Sequence, residues 1–438
     1  MRTGGSKYRF IFYYSRFNKF ALNAVIASVE SGRILEEIVI VRNREELLER
    51  VAQFSQSAYI PVVCLSFMTP QLPDVMELSG TIKKICPNAL LVAGGPHASG
   101  DPAGTLLNLR FDIVFIGEAE QSFREFFERM RNGEDFLGVR GIAYNYYGEL
   151  IYTGTPKRID LNDYPPFPYW RNLLGPIEIT RGCSWLCTYC QVPYMHGAFL
   201  RHRSVDKILY YAEKFFKQGG RDLRFISPNS LSYGGLGEEI NLNALETLLS
   251  RLYILAKHYN GRIFMGSFPS EVRPDFVTED ALRILRGKVA NKVLIIGAQS
   301  GSEKVLKLIR RGHDTNCVLR AVELCRKYGF IPHVDFIFGL PGEDREDLMD
   351  SLRLAKRLIE MGARIHAHTF MPLPGTPLEN APPGKIPEWL KKELSRMTGR
   401  GKLYGNWVKQ EKIAWMIYNY IKRGIILGKK GWKLLRNA

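Results

Sequence analysis

The sequence predicts an α/β protein in two blocks. A doubly wound, flavodoxin/Rossmann-like domain comes first, then a partial (βα)6 TIM-like barrel with a basic C-terminal helical extension. Three observations predict this. Short β-rich runs alternate with helical periods up to about residue 135, the pattern of βαβ units on a parallel sheet. Between residues 176 and 380 an apolar strand ending in polar or Gly residues recurs six times, each followed by a helical segment. The formal charge of +17 is uneven, with residues 384–438 carrying 14 Lys/Arg against 3 Asp/Glu.

In the first block, 9–14 (RFIFYY) reads as a strand and 18–31 as a helix with Asn18 as its cap. A strand at 37–41, a helix at 44–54, a strand at 60–65 and a helix at 74–85 follow. Strands at 89–93 and 111–116 end in Gly94-Gly95 and Gly117. Doubly wound sheets take ligands at the carboxyl ends of their strands, which here carry SFMT, GGPHAS and GEAE. No GxGxxG opens a helix and no GxxxxGK[ST] is present, which excludes dinucleotide and P-loop readings. Residues 138–175 read as a connector: a hairpin turning near Tyr147-Gly148, then the proline-aromatic strap DYPPFPYW. The barrel strands are expected to end at 182, 229, 267, 300, 339 and 372. In such folds the active site lies at this mouth.

No apolar run approaches the roughly 18–20 residues of a membrane span. The N-terminus MRTGGSKYRFIFYY lacks a signal-peptide pattern, so the expected location is the cytoplasm. Seven cysteines, three of them within RGCSWLCTYC, point to metal chemistry rather than a disulfide framework. Thiolates at Cys183, Cys187 and Cys190 can hold a four-iron cluster with one iron left open for a substrate. With His196 or His202 as a fourth ligand they can instead close a zinc site.

The spacing Cys183-x3-Cys187-x2-Cys190, with Tyr189 before the last cysteine and the loop placed after the first strand of a six-unit array, resembles the signature of the radical S-adenosylmethionine (SAM) superfamily. The resemblance implies that the three cysteines hold a [4Fe-4S] cluster, with SAM on the open iron. One-electron reduction, from a donor of flavodoxin or ferredoxin type, would split SAM into methionine and a 5′-deoxyadenosyl radical. It also implies SAM contacts at Tyr189, Asn229, Ser267, Glu271, Arg273, Gln299, Ser300, Phe338 and Gly339. Where the family often has a Gly-Gly-Glu turn, this chain has Ser227-Pro228-Asn229.

The order of doubly wound block, strap and barrel resembles the cobalamin (B12)-binding-domain subgroup of that superfamily. This implies a cobalamin-binding-like domain at 1–137, a connector at 138–175, the radical SAM barrel at 176–380 and the extension at 381–438. Ser66, Thr69, Gly94, Gly95, Gly117, Glu118 and Glu120 would surround the corrin. The Asp-x-His-x-x-Gly motif of other B12 proteins is absent, which implies no histidine below the cobalt.

Cys64, Cys86, Cys317 and Cys325 are expected in the core, and His366 and His368 alternate on the last barrel strand. Methylthiotransferases with a similar barrel carry three cysteines in an N-terminal domain, whereas two precede Cys183 here. The basic, aromatic tail suits an anionic or RNA substrate, an anionic lipid surface or a helical cap. The expected function is methylation of an unactivated carbon by a cobalamin-dependent radical SAM enzyme. The alternatives are a cobalamin-independent radical rearrangement, cyclisation or sulfur insertion, including RNA methylthiolation, and a non-catalytic, metal-stabilised nucleic-acid-binding protein. The sequence assigns no substrate-side catalytic residue.

Overall fold

The computed structural model describes residues 7–437, so the first six residues of the N-terminal reading lie outside it. The chain divides into two units, one formed by 1–175, 373–375 and 419–438, the other by 176–372 and 376–418.

The first unit is an eight-stranded sheet. β1 (Tyr8–Tyr13), β2 (Ile38–Val41), β3 (Ile60–Ser66), β4 (Leu90–Gly94) and β5 (Ile113–Phe115) run parallel in the order 2-1-3-4-5. This is the flavodoxin-like order, whose switch point lies between the carboxyl ends of β1 and β3. The strands are Val/Ile/Phe-rich because both faces are covered. Phe10, Phe12 and Phe115 pack against Phe123, Phe126 and Phe127 of the helix Glu120–Asn132. Asn18, expected as a helix cap, makes no cap bond. Its amide instead donates to Tyr13 O at 2.9 Å and Ser66 O at 3.1 Å, tying the two strands at the switch point.

The connector belongs to this unit. β6 (Ile142–Tyr146) and β7 (Glu149–Tyr152) form the expected hairpin and extend the sheet antiparallel to β5. The strap is anchored on buried Glu30, which accepts from Trp170 Nε1 and Arg171 Nε, both at 2.7 Å.

The second unit is a partial barrel. β8 (Ile177–Glu178) is followed by β9 (Thr180–Arg181) and β10 (Arg201–His202), an antiparallel pair that clamps the neck of the cysteine loop. β11 (Asp222–Ile226) and β12 (Arg262–Phe264) run parallel to β8. β13 (Val293–Gln299), β14 (Ile331–Phe338) and β15 (Arg364–Thr369) form a parallel sheet with β16 (Leu403–Tyr404) at its edge. A parallel bridge between Val272 and Ile296 joins β13 to the segment after β12. The six expected strands are present, and Leu403–Tyr404 adds a parallel strand that the sequence did not announce.

The tail is not one extension. Residues 376–418 belong to the barrel, while 419–438 return to the first unit, where β17 (Arg436–Asn437) pairs parallel with β7. Three tail aromatics are spent on packing: Trp407 is buried, Trp432 meets Tyr152 edge to face, and Tyr404 stacks on His366. No helix among the described residues is long and apolar enough to cross a membrane.

Candidate active site

Local geometry shapes the cysteine loop. Gly182 has φ +93°, and a Cβ there would lie 2.2 Å from Phe199 O, so only glycine lets the loop's two ends pass this closely. Cys183 N donates to Gly197 O at 3.0 Å, Cys190 N to Cys187 O at 3.1 Å, and Thr188 N to Ile309 O at 3.1 Å. Cys187 is buried, with its Sγ 3.6 Å from Arg310 O and from Arg311 Nη1. Burial pushes the Cys190 thiol up to about 12 and raises that of Cys183, while each also feels the charge of its neighbouring thiols.

A metal centre that binds thiolates supplies the charge needed to hold them deprotonated. One zinc ion would gather thiolates to about 3.8 Å from one another. Among the described residues, Asp335, His366 and His368 are the one group whose ligand atoms all lie within 4.8 Å. His202 does not complete a zinc site, because Nδ1 bonds Thr180 Oγ1 at 3.0 Å and Nε2 bonds Gly235 O at 2.8 Å.

Asn229 Nδ2 and Arg273 Nη1 are buried nitrogen donors without a protein partner, as are the loop hydroxyls of Ser184 and Thr188. The two nitrogens sit on linked residues, since Arg273 N donates to Asn229 Oδ1 at 3.3 Å. The Arg273 guanidinium lies over the Trp185 ring at 3.5 Å and donates to Asp275 Oδ2 and Arg311 O. Each buried donor left empty costs about 1–3 kcal/mol, so this pair fits the carboxylate and polar groups of an amino-acid ligand. Gly297 marks the same place. A Cβ there would lie 2.8 Å from Gln299 Nε2, 3.0 Å from Arg311 Nη2 and 3.2 Å from Glu271 Oε2. Burial first, and then the Asp335 charge, push Glu271 up to about 7.

The other sequence-assigned contacts, Ser300, Ser267, Phe338 and Gly339, have partners within the protein. Ser300 is fully buried and hydrogen-bonded to Ser351 Oγ and Ser302 N. Ser267 lies 3.5 Å from Arg224 Nη1. Phe338 is fully buried, parallel to Phe336 at 6.1 Å, on the β14 face opposite Asp335 and Ile337. Ile337, together with Tyr189, packs on the cluster of Val305, Ile309, Leu340 and Phe370. Tyr189 and Ile337 therefore share one apolar wall. Gly339 N donates to Glu343 Oε2 at 2.7 Å.

In the first unit, Ser66 and Gly94 end the strands beside the switch point. A Cβ on Gly94 would meet nothing within 4 Å, whereas one on Gly95 would crowd Ser66 Oγ at 2.7 Å. Gly117 N donates to Ser99 Oγ at 2.9 Å. This glycine-lined edge fits a large planar ligand. Thr69 is buried and bonded to His97 Nδ1, Glu118 accepts from Ile159 N, and Glu120 is buried at the start of its helix.

A flavodoxin-like unit followed in the chain by a three-cysteine loop at the mouth of a partial barrel suits a cofactor-dependent enzyme. The comparisons agree. Residues 177–355 match the radical SAM superfamily and residues 13–127 match the B12 binding domain. Protein MJ1620 of Methanocaldococcus jannaschii is 26% identical over 368 residues, covering 74% of this chain and 70% of its own. A tRNA-2-methylthio-N(6)-dimethylallyladenosine synthase of Rickettsia felis is 30% identical over 331 residues, covering 74% and 68%. The fold is shared with TsrM of Kitasatospora setae, a radical SAM methyltransferase solved with cobalamin and a [4Fe-4S] cluster, at TM-score 0.69, 16% identity and coverage of 86% and 78%.

This chain belongs to the radical SAM superfamily and carries a B12 binding domain. It is a radical SAM enzyme whose cofactors are a [4Fe-4S] cluster, SAM and cobalamin, and it needs a reductant and a substrate.

Proposed function

We propose that this enzyme transfers a methyl group to an unactivated carbon of its substrate. The observation that carries the reading is the pairing, in one chain, of a flavodoxin-like unit with a glycine-lined switch point and a barrel with a three-cysteine loop. When bound, the cluster and SAM supply radical chemistry and the corrin supplies a transferable methyl group.

The protein's own part is binding, orientation and exclusion of water. Cys183, Cys187 and Cys190 hold the cluster, and Arg311 places its charge against Cys187 Sγ. Asn229 Nδ2 and Arg273 Nη1 hold the amino-acid end of SAM, and Trp185 stacks beneath Arg273 to fix it. Tyr189 and Ile337 cover the apolar end. Ser66, Gly94 and Gly95 seat the corrin at the switch point.

Sulfur insertion, the chemistry named for the Rickettsia relative, has less support. Cys64 and Cys86, the two cysteines before the loop, are both buried in the first unit, and burial raises the Cys64 thiol strongly. The reductant is of flavodoxin or ferredoxin type. Exposed Lys430, Lys433 and Arg436 suit an anionic substrate, RNA included, by charge alone.

The test is anaerobic reconstitution with iron, sulfide and hydroxocobalamin, followed by desalting and metal analysis. The expected result is one four-iron cluster and near-stoichiometric cobalt per chain, with reductive SAM cleavage abolished by Cys187→Ala. A cluster without cobalt would overturn the methyl-transfer reading.

A further inference from the structure

A second cluster of ligand-bearing side chains lies inside the barrel. In the β13-β14-β15 register, Gly297 pairs with Asp335, and Asp335 pairs with His366. His368 follows two residues later on the same face of β15. His366 Nδ1 is 3.0 Å from Asp335 Oδ1 and 3.2 Å from His368 Nε2, and each of the three residues offers a ligand atom within 4.8 Å of the other two. Two ligands at right angles on an ion with bonds of about 2.1 Å stand about 3.0 Å apart.

The protons on these groups do not balance. Gln410 Oε1 accepts from Thr369 N at 3.0 Å, so its Nε2 faces His368 Nδ1 at 3.2 Å. His368 Nδ1 is then an acceptor, and the proton of neutral His368 sits on Nε2, aimed at His366 Nδ1. If His366 Nδ1 accepts that proton, the Asp335 carboxylate 3.0 Å away has no donor. If His366 Nδ1 carries its own proton toward Asp335, two N–H groups oppose each other. With neutral histidines and an ionised aspartate, one contact always fails. A cation at the meeting point satisfies all three atoms and moves the His368 proton to Nδ1, where it faces the Gln410 amide nitrogen. The surroundings hold the set in place: Tyr404 stacks on His366 at 4.4 Å and 6°, and its hydroxyl bonds His333 Nδ1 at 2.9 Å.

We propose that Asp335, His366 and His368 form a binding site for a divalent first-row metal ion of the zinc class. Two histidines and one carboxylate leave coordination positions open, so the ion would hold water or an oxygen or nitrogen atom of the substrate. The inference stands on these side chains and does not rest on the methyl-transfer reading. Gln410 has a part in it. With metal on Nε2, His368 Nδ1 carries a proton and needs an acceptor, which the Gln410 amide nitrogen is not. A carboxylate at 410 can accept from both Thr369 N–H and His368 Nδ1–H, as the outer partners of metal-bound histidines do.

The test is equilibrium dialysis of the reconstituted full chain against zinc, with zinc and iron counted together. The parent is expected to bind one zinc per chain beyond any taken by the cysteine loop. That zinc should be lost in the double variant His366→Ala/His368→Ala and in the near-isosteric Asp335→Asn. Gln410→Glu should bind zinc about tenfold more tightly. Iron retained at the parental level shows that the variants keep their cluster. A chain low in iron tells against the cluster reading, while the zinc difference between parent and variant still decides this one. Equal zinc in the parent and in both variants would overturn the proposal.

Discussion

At Gly297, one missing methyl group keeps three polar side chains together. An alanine there would press on Gln299, Arg311 and Glu271 at 2.8–3.2 Å, and overpacking of this kind costs about 1–3 kcal/mol. Gly297→Ala is therefore expected to weaken SAM binding about tenfold or more, each tenfold being about 1.4 kcal/mol, in anaerobic dialysis with labelled SAM. Unchanged affinity would separate Gly297 from the SAM site. The sequence marked Gln299, Glu271 and Arg273 through their neighbourhoods, but not Gly297, because nothing in VLIIGAQS says which groups approach the strand from elsewhere. It also could not distinguish Ile337 from Phe338. Both residues are apolar in IPHVDFIF, and only the packed structure shows that Ile337 joins Tyr189 on the cluster around Ile309 and Phe370.

Elements long enough to show a period were legible, and very short ones were not. The strand at Ile60–Ser66 and the helix at Arg44–Ser55 follow the sequence closely. Leu403–Tyr404 and Arg436–Asn437 are two-residue strands, too short to carry an alternation signal. The returning tail is held through Asp101, which is fully buried and accepts from Leu427 N, Gly428 N and Gly104 N. Asn108 Nδ2 adds bonds to Gly424 O and Ile425 O. Removing the carboxylate strands three backbone donors, two of them buried at about 1–3 kcal/mol each. Asp101→Ala should therefore raise amide exchange across 424–437 by orders of magnitude, read by hydrogen–deuterium exchange. Exchange confined to 102–106 would mean that Asp101 caps its own helix and does not hold the tail.

At the scale of the whole molecule, stability should carry a buried-histidine signature. His97 is fully buried, stacked on Phe67 and bonded to Thr69 Oγ1, and burial lowers its pKa to about 3. In the unfolded chain the value is about 6.5. The unfolded state therefore takes up a proton below about pH 6.5 that the folded state refuses. The stability contributed by neutral His97 is complete above that pH and is lost as pH falls toward 3. Between pH 7 and pH 5 the loss is about 2 kcal/mol. Urea unfolding of the parent should show it, and His97→Phe should show that much less pH dependence; an equal dependence in both chains would contradict the assignment.

The two-unit architecture was legible because strand ends, glycines and cysteines recur in order along the chain. The division of the tail was not, because charge composition says nothing about where a segment docks. The central claim is that the methyl group of SAM passes through the corrin on its way to substrate. The most direct measurement follows methyl-labelled SAM in the reduced, cobalamin-loaded enzyme and isolates the corrin. Label in the corrin fraction is the predicted result. Complete SAM turnover with an unlabelled corrin would contradict it.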